Sequence, residues 1–93
     1  MEPALLDRRP AVLAAVEFRV LDDMSAVAVD REGGTAHALN PVAAAILERC
    51  DGEATVREIV VEIEEIFDGP PDRVEAEVAA FVDELAAMGL IAW

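Results

Sequence analysis

Hydrophobic and polar residues alternate along this chain with two periods, and the period changes once. From Glu17 to Leu21 the residues read E-F-R-V-L, with Phe18 and Val20 on one side and Glu17 and Arg19 on the other. Period-two alternation is the signature of a strand with one buried face. After the polar turn Asp22-Asp23-Met24-Ser25, the run Ala26–Asp30 (A-V-A-V-D) repeats it, with Val27 and Val29 sharing a face. Arg31-Glu32-Gly33-Gly34 follows, and its glycine pair supplies the positive φ that a hairpin turn requires. A third short strand covers Thr35–Leu39. The three predict an antiparallel meander.

From Asn40 onward the period is helical. The Asn40 side chain can cap free N–H groups, and Pro41 at the first helical position loses no hydrogen bond. This first helix runs to about Cys50 with Val42, Ile46 and Leu47 as its stripe, and Asp51-Gly52 ends it. Thr55-Val56-Arg57-Glu58 has the spacing of a capping box. It opens a second helix to about Phe67, with Val56, Ile59, Val60, Ile63 and Phe67 at helical spacing and Glu58, Glu62 and Glu65 on the solvated side. Asp68-Gly69-Pro70-Pro71 breaks the chain, and Asp72-Arg73-Val74-Glu75 reads as another capping box. The third helix buries Val74, Val78, Phe81, Val82 and Leu85 and extends to about Met88. Gly89 stops it, and Leu90-Ile91-Ala92-Trp93 is an apolar tail suited to a short strand or a packed end. Residues 1–15, with Pro3, Pro10 and Arg8-Arg9, read as a flexible lead-in to one domain over 16–93. The expected fold is α+β: a three-stranded meander followed by three helices, akin to a winged helix-turn-helix.

Composition narrows the function. A 93-residue chain has room for one thin core and no second domain. Twenty acidic residues face seven basic ones for a net charge of −13, a balance that repels nucleic acid and anionic membranes, whose affinity comes from Lys and Arg. The third helix is the reading helix of a winged helix-turn-helix; here it offers Arg73 alone against Asp72, Glu75, Glu77, Asp83 and Glu84. No apolar stretch approaches the length of a membrane span, and no basic n-region precedes an apolar run, so a cytoplasmic protein is expected.

The inventory for chemistry is thin. His37 is the lone histidine and Cys50 the lone cysteine, which excludes a His pair, an intrachain disulfide and a cysteine metal cluster. Cys50 follows an Ala-rich helix and precedes Asp51, the reverse of the cationic setting that activates a thiol. Gly33-Gly34 lacks the Lys-Ser/Thr and helix of a phosphate loop. We therefore expect no enzyme activity, no metal and no cofactor. The third strand remains: at the edge of a meander, Thr35, Ala36, His37, Ala38 and Leu39 carry none of the Lys, Pro or charged residues that blunt edges. Such an edge accepts an extended peptide as an added strand.

The run Ala38–Gly52 (A-L-N-P-V-A-A-A-I-L-E-R-C-D-G), then Thr55–Val60 (T-V-R-E-I-V), resembles the PqqD-like family, whose pattern is L-N-x-x-A-x-x-I-L, then D-G, then a T-V-x-E-I helix. Val78, Phe81, Val82, Leu85 and Gly89-Leu90-Ile91 match the family's closing helix and tail, so the likeness spans about residues 16–92. The resemblance implies a RiPP recognition element: a peptide chaperone that binds the leader of a ribosomally made precursor and delivers it to a modifying enzyme, often a radical SAM protein. It implies that the leader lies along Thr35, Ala36, His37, Ala38 and Leu39, against a helix wall drawn from Arg73, Val74, Glu77, Val78 and Phe81. The Gly-Gly-Thr-Ala start of the third strand is less β-branched than such a strand favours. The alternative from the residues themselves is a winged-helix regulatory domain acting on nucleic acid or a protein. An exposed edge and the apolar tail also leave room for a homodimer.

Overall fold

The computed structural model describes residues 5–67 and 69–92; Pro3, Asp68 and Trp93, used above, lie outside the described residues. After a 3-10 turn at Leu5–Asp7 come β1 (Ala11–Val12), β2 (Val16–Val20), β3 (Ala26–Asp30) and β4 (Thr35–Leu39). The helices α1 (Pro41–Glu48), α2 (Val56–Ile66) and α3 (Pro71–Ala87) follow, and β5 (Ile91–Ala92) closes the chain. The sheet is the expected meander, β2-β3-β4, antiparallel throughout.

The caps explain why the helices begin where they do. Asn40 Oδ1 accepts the Ala43 N–H at 2.8 Å, and Pro41 stands at the first helical position. At α2 the capping box is reciprocal: Thr55 Oγ1 accepts the Glu58 N–H at 3.2 Å, while Glu58 Oε1 accepts the Thr55 N–H at 3.0 Å. The Thr55 N–H bond, and a second from the Thr55 hydroxyl to the same oxygen at 3.1 Å, hold the Glu58 pKa below the usual range. At α3 the expected box at Asp72 is absent, because Pro71 starts the helix earlier; Pro70 is the N-cap and has no side-chain bond to give. Proline's fixed φ suits a first helical residue, and it places Asp72 inside the first turn. The helix ends in a Schellman arrangement: Gly89 (φ 77°) donates to Ala86 C=O and Leu90 N–H to Leu85 C=O, both at 3.0 Å.

Packing decides which face of β3 turns inward. The larger side chains Val27 and Val29 would be the natural inward pair of β3, yet Ala26 and Ala28 are buried at 1% and 0% while Val29 is 39% exposed. Period two dictates that the faces differ, not which one is covered. The core unites Ala28 and Leu39 of the sheet with Ala43, Ala44 and Ile46 of α1, Ile59 and Ile63 of α2 and Val78, Val82 and Leu85 of α3. The small alanines of β3 and α1 let the sheet and helices approach closely.

The lead-in segment is tied down over its described part. Ala11 and Val12 pair with Ala92 and Ile91. Gly52 N–H donates to Pro10 C=O at 2.9 Å, Val12 N–H to Cys50 C=O at 3.0 Å and Val56 N–H to Arg8 C=O at 2.9 Å. Pro10 is fully buried. The apolar tail finds its partner here, in a two-stranded sheet separate from the meander.

Candidate functional site

Both outer strands of the meander have an open edge, and hydrogen-bond parity says what each edge presents. Arg31 N–H donates to Ala15 C=O (3.0 Å) and Leu21 N–H to Ser25 C=O (2.7 Å). In an antiparallel ladder, hydrogen-bonded and non-bonded pairs alternate, so Glu17–Val29 and Arg19–Val27 are the bonded pairs between β2 and β3. The other residues of β3 therefore bond β4, through Ala26–Leu39, Ala28–His37 and Asp30–Thr35. That leaves the N–H and C=O of Ala36 and Ala38 pointing away from the sheet. Their side chains lie on the outer face beside Val29 and Val27, whereas Thr35, His37 and Leu39 lie on the face toward the helices. Leu39 is buried, His37 half-buried and Thr35, Ala36 and Ala38 exposed.

At the end of β4 a cleft of about 140 Å³ opens between the strand and α3. Its walls are Ala38, Leu39 and Asn40 on one side, Phe81, Glu84, Leu85 and Met88 on the other, with Ala43 of α1 between. Leu39 and Leu85 are 4% and 1% exposed and form the floor; Met88 at 37% forms the rim. Of the ten residues expected from sequence, this cleft gathers Ala38, Leu39 and Phe81. Val74 and Val78 are 5% and 0% exposed, inside the core. Arg73 and Glu77 pair with each other at 3.2 Å on the solvent side of the helix. The residues missed, Glu84, Leu85 and Met88, follow Phe81 at helical spacing (i+3, i+4 and i+7), which was the available signal.

Chemistry elsewhere is sparse. The Cys50 thiol is buried and donates to Ile46 C=O at 3.2 Å, and burial with Asp51 beside it pushes its pKa up to about 12, so it stays protonated. Among the described residues no three His, Cys, Asp or Glu side chains converge to hold a metal, and no helix is long and apolar enough to cross a membrane. A larger, shallow concavity of about 720 Å³ lies along the other edge, around Phe18, Arg19, Leu21 and Val29.

The described residues thus form an α+β fold with a bare edge strand, β4, beside the closing helix α3. The family model for coenzyme PQQ synthesis protein D (PqqD) matches residues 25–91, and the chain belongs to this family. Among solved structures, TbiB1 in complex with the TbiA(β) leader peptide is 25% identical, with a TM-score of 0.77 over 87% of this chain and 93% of that one. A lasso peptide synthetase B1 complexed with the leader peptide has the same fold at 19% identity, TM-score 0.77, covering 91% of this chain and 99% of that one. So does the PqqD truncation of Methylobacterium extorquens PqqCD, a stand-alone RiPP recognition element, at 24% identity and TM-score 0.72 over 90% of this chain and 88% of that one. No curated protein matches the chain.

Proposed function

We propose that this chain binds the leader of a ribosomally made precursor peptide by strand addition to β4 and presents it to a modifying enzyme. The observation that carries the reading is the open edge at Ala36 and Ala38 with an apolar cleft at its end. Main-chain bonds to those two residues supply sequence-tolerant affinity, and the cleft supplies selectivity. Alternation means that leader residues opposite His37 and Leu39 point toward the helices. The one opposite Leu39 is the residue whose apolar side chain enters between Phe81, Leu85 and Met88. Thr35 and His37 then flank the leader rather than bond it, and Arg73 and Glu77 meet it only where it runs beyond the cleft.

Further support comes from the family itself and from the two structurally similar proteins solved with leader peptides. In this reading the chain performs no chemistry. It works in the cytoplasm, where a ribosomal product is first met, and the enzyme receiving the leader is of the radical SAM class. Nucleic acid is disfavoured by the acidic surface of α3, where one Arg faces five acidic residues over Pro71–Ala87.

Titration with the leader peptide encoded beside this protein, followed by amide NMR, tests the reading. Shifts are expected at Ala36, Ala38, Phe81 and Met88. An unperturbed spectrum, or shifts concentrated on α2, overturns it.

A further inference from the structure

The second open edge, along β2, has a sequence that is complementary to itself. By the parity derived above, Val16, Phe18 and Val20 turn their N–H and C=O groups away from β3. The Val16 N–H is taken by Leu13 C=O at 3.0 Å, but the Val16 C=O, both groups of Phe18 and the Val20 N–H face outward, and no strand among the described residues pairs there. Val20 is 40% exposed.

We infer that this edge pairs with the β2 edge of a second copy of the chain, antiparallel about a two-fold axis at Phe18. In that register Phe18 meets Phe18 of the partner subunit as a hydrogen-bonded pair that exchanges two bonds. Val20 N–H reaches the C=O of Val16 of the partner subunit, and the symmetric bond forms in return. The pairs between them are the closer, non-bonded kind, with Cα atoms about 4.5 Å apart. They set Glu17 against Arg19 of the partner subunit, twice, on the outer face. Any other in-phase register loses this match.

Two observations favour a second copy over another protein. First, the Arg19 side chain holds no ion pair or hydrogen bond among the described residues, whereas Glu17 reaches Arg31 at 3.3 Å with both side chains largely exposed. The copy's Glu17 supplies what Arg19 lacks. Second, β2 carries no net charge in a chain of net charge −13, so two such edges can meet without adding to the repulsion between the chains. Charges on an edge strand commonly block pairing; opposite charges set two residues apart direct it instead. The result is one six-stranded sheet with a free β4 at each end, and the inference does not rest on what β4 binds.

Sedimentation equilibrium from micromolar to millimolar chain, at an ionic strength of about 0.15 M to screen the net charge, tests it with Glu17→Arg, Arg19→Glu and the double swap. The wild type should dimerise, each single variant should weaken the dimer about tenfold or more, and the double swap should restore it. Mixing the two single variants should give a heterodimer. Both substituted positions are exposed, and circular dichroism checks that each variant folds. A wild type that stays monomeric to millimolar concentration overturns the inference, as does a dimer indifferent to both single changes.

Discussion

The two edges of the meander are alike in backbone and opposite in side chains. β2 presents V-E-F-R-V and β4 presents T-A-H-A-L, each five residues long and each bonded to β3 on one side only. At β4 the outward groups belong to alanines, so an arriving backbone meets no bulky side chain on the outer face and finds an apolar cleft at the strand's end. At β2 charged side chains of opposite sign flank the outward groups, and they specify a partner with the reversed order. The contrast teaches that an edge becomes a general or a particular docking strand through its side chains, since the main-chain bonds are the same.

The hairpin turns differ too. Gly34 takes φ 71° in the β3–β4 turn, and Met24 takes nearly the same angle, 73°, in the β2–β3 turn. Glycine adopts this conformation freely, whereas a side chain there costs about 1–2 kcal/mol.

The largest effect is expected where the site and the core share a residue. Leu39→Ala should cost about 2–5 kcal/mol in denaturant unfolding, because it opens a cavity under the cleft, and it should weaken leader binding as well. Proline next separates the two edges. Ala38→Pro removes an outward N–H and should weaken the leader complex about tenfold or more in calorimetric titration, a loss of about 1–3 kcal/mol for the missing bond. Val20→Pro should leave that titration nearly unchanged and weaken self-association. His37→Pro is the control, since its N–H bonds Ala28 and its loss should show in folding stability. Equal effects of all three prolines on leader binding would break the comparison.

A smaller effect comes from exchanging the turn residues. Met24→Gly should stabilise the fold by up to about 1 kcal/mol and Gly34→Ala should destabilise it by about as much, read from thermal midpoints. The smallest is a pH effect confined to the β2 turn. Asp23 accepts bonds from the Ser25 hydroxyl and N–H, and these hold its carboxyl below the ordinary value of 3.8. A lowered folded pKa stabilises above the unfolded value and is lost as pH falls through the folded one. The protection of the Ser25 amide, its exchange relative to the unstructured rate at the same pH, should therefore hold above 3.8 and fall only on acidification below that value; an Asp23→Asn variant should lack that transition.

Much of this architecture was legible in order along the chain. Asn40-Pro41, the Thr55–Glu58 box and Gly89 mark helix ends because caps are local, formed by residues within four positions of each other. The meander was legible because its turns are short. Residues 5–15 were not, since β1 finds β5 about eighty positions away and neither two-residue strand carries a period of its own. The wall of the cleft was not legible either. Val78 and Phe81 stand on one apolar stripe in sequence, and only the packing of α3 sends Val78 to the core and leaves Phe81 at the cleft.

The sequence by itself determined the element types, the caps, the absence of a His pair or a disulfide, and an acidic surface unsuited to phosphate. Those properties depend on residue identity and local spacing. Tertiary structure alone decided that alanines rather than valines line the inner face of β3, that the N-terminal segment closes against the tail, and that the cleft opens on the second half of α3. Each of these depends on which surfaces meet across long stretches of chain, and periodicity records that a residue has a face without recording what that face will touch.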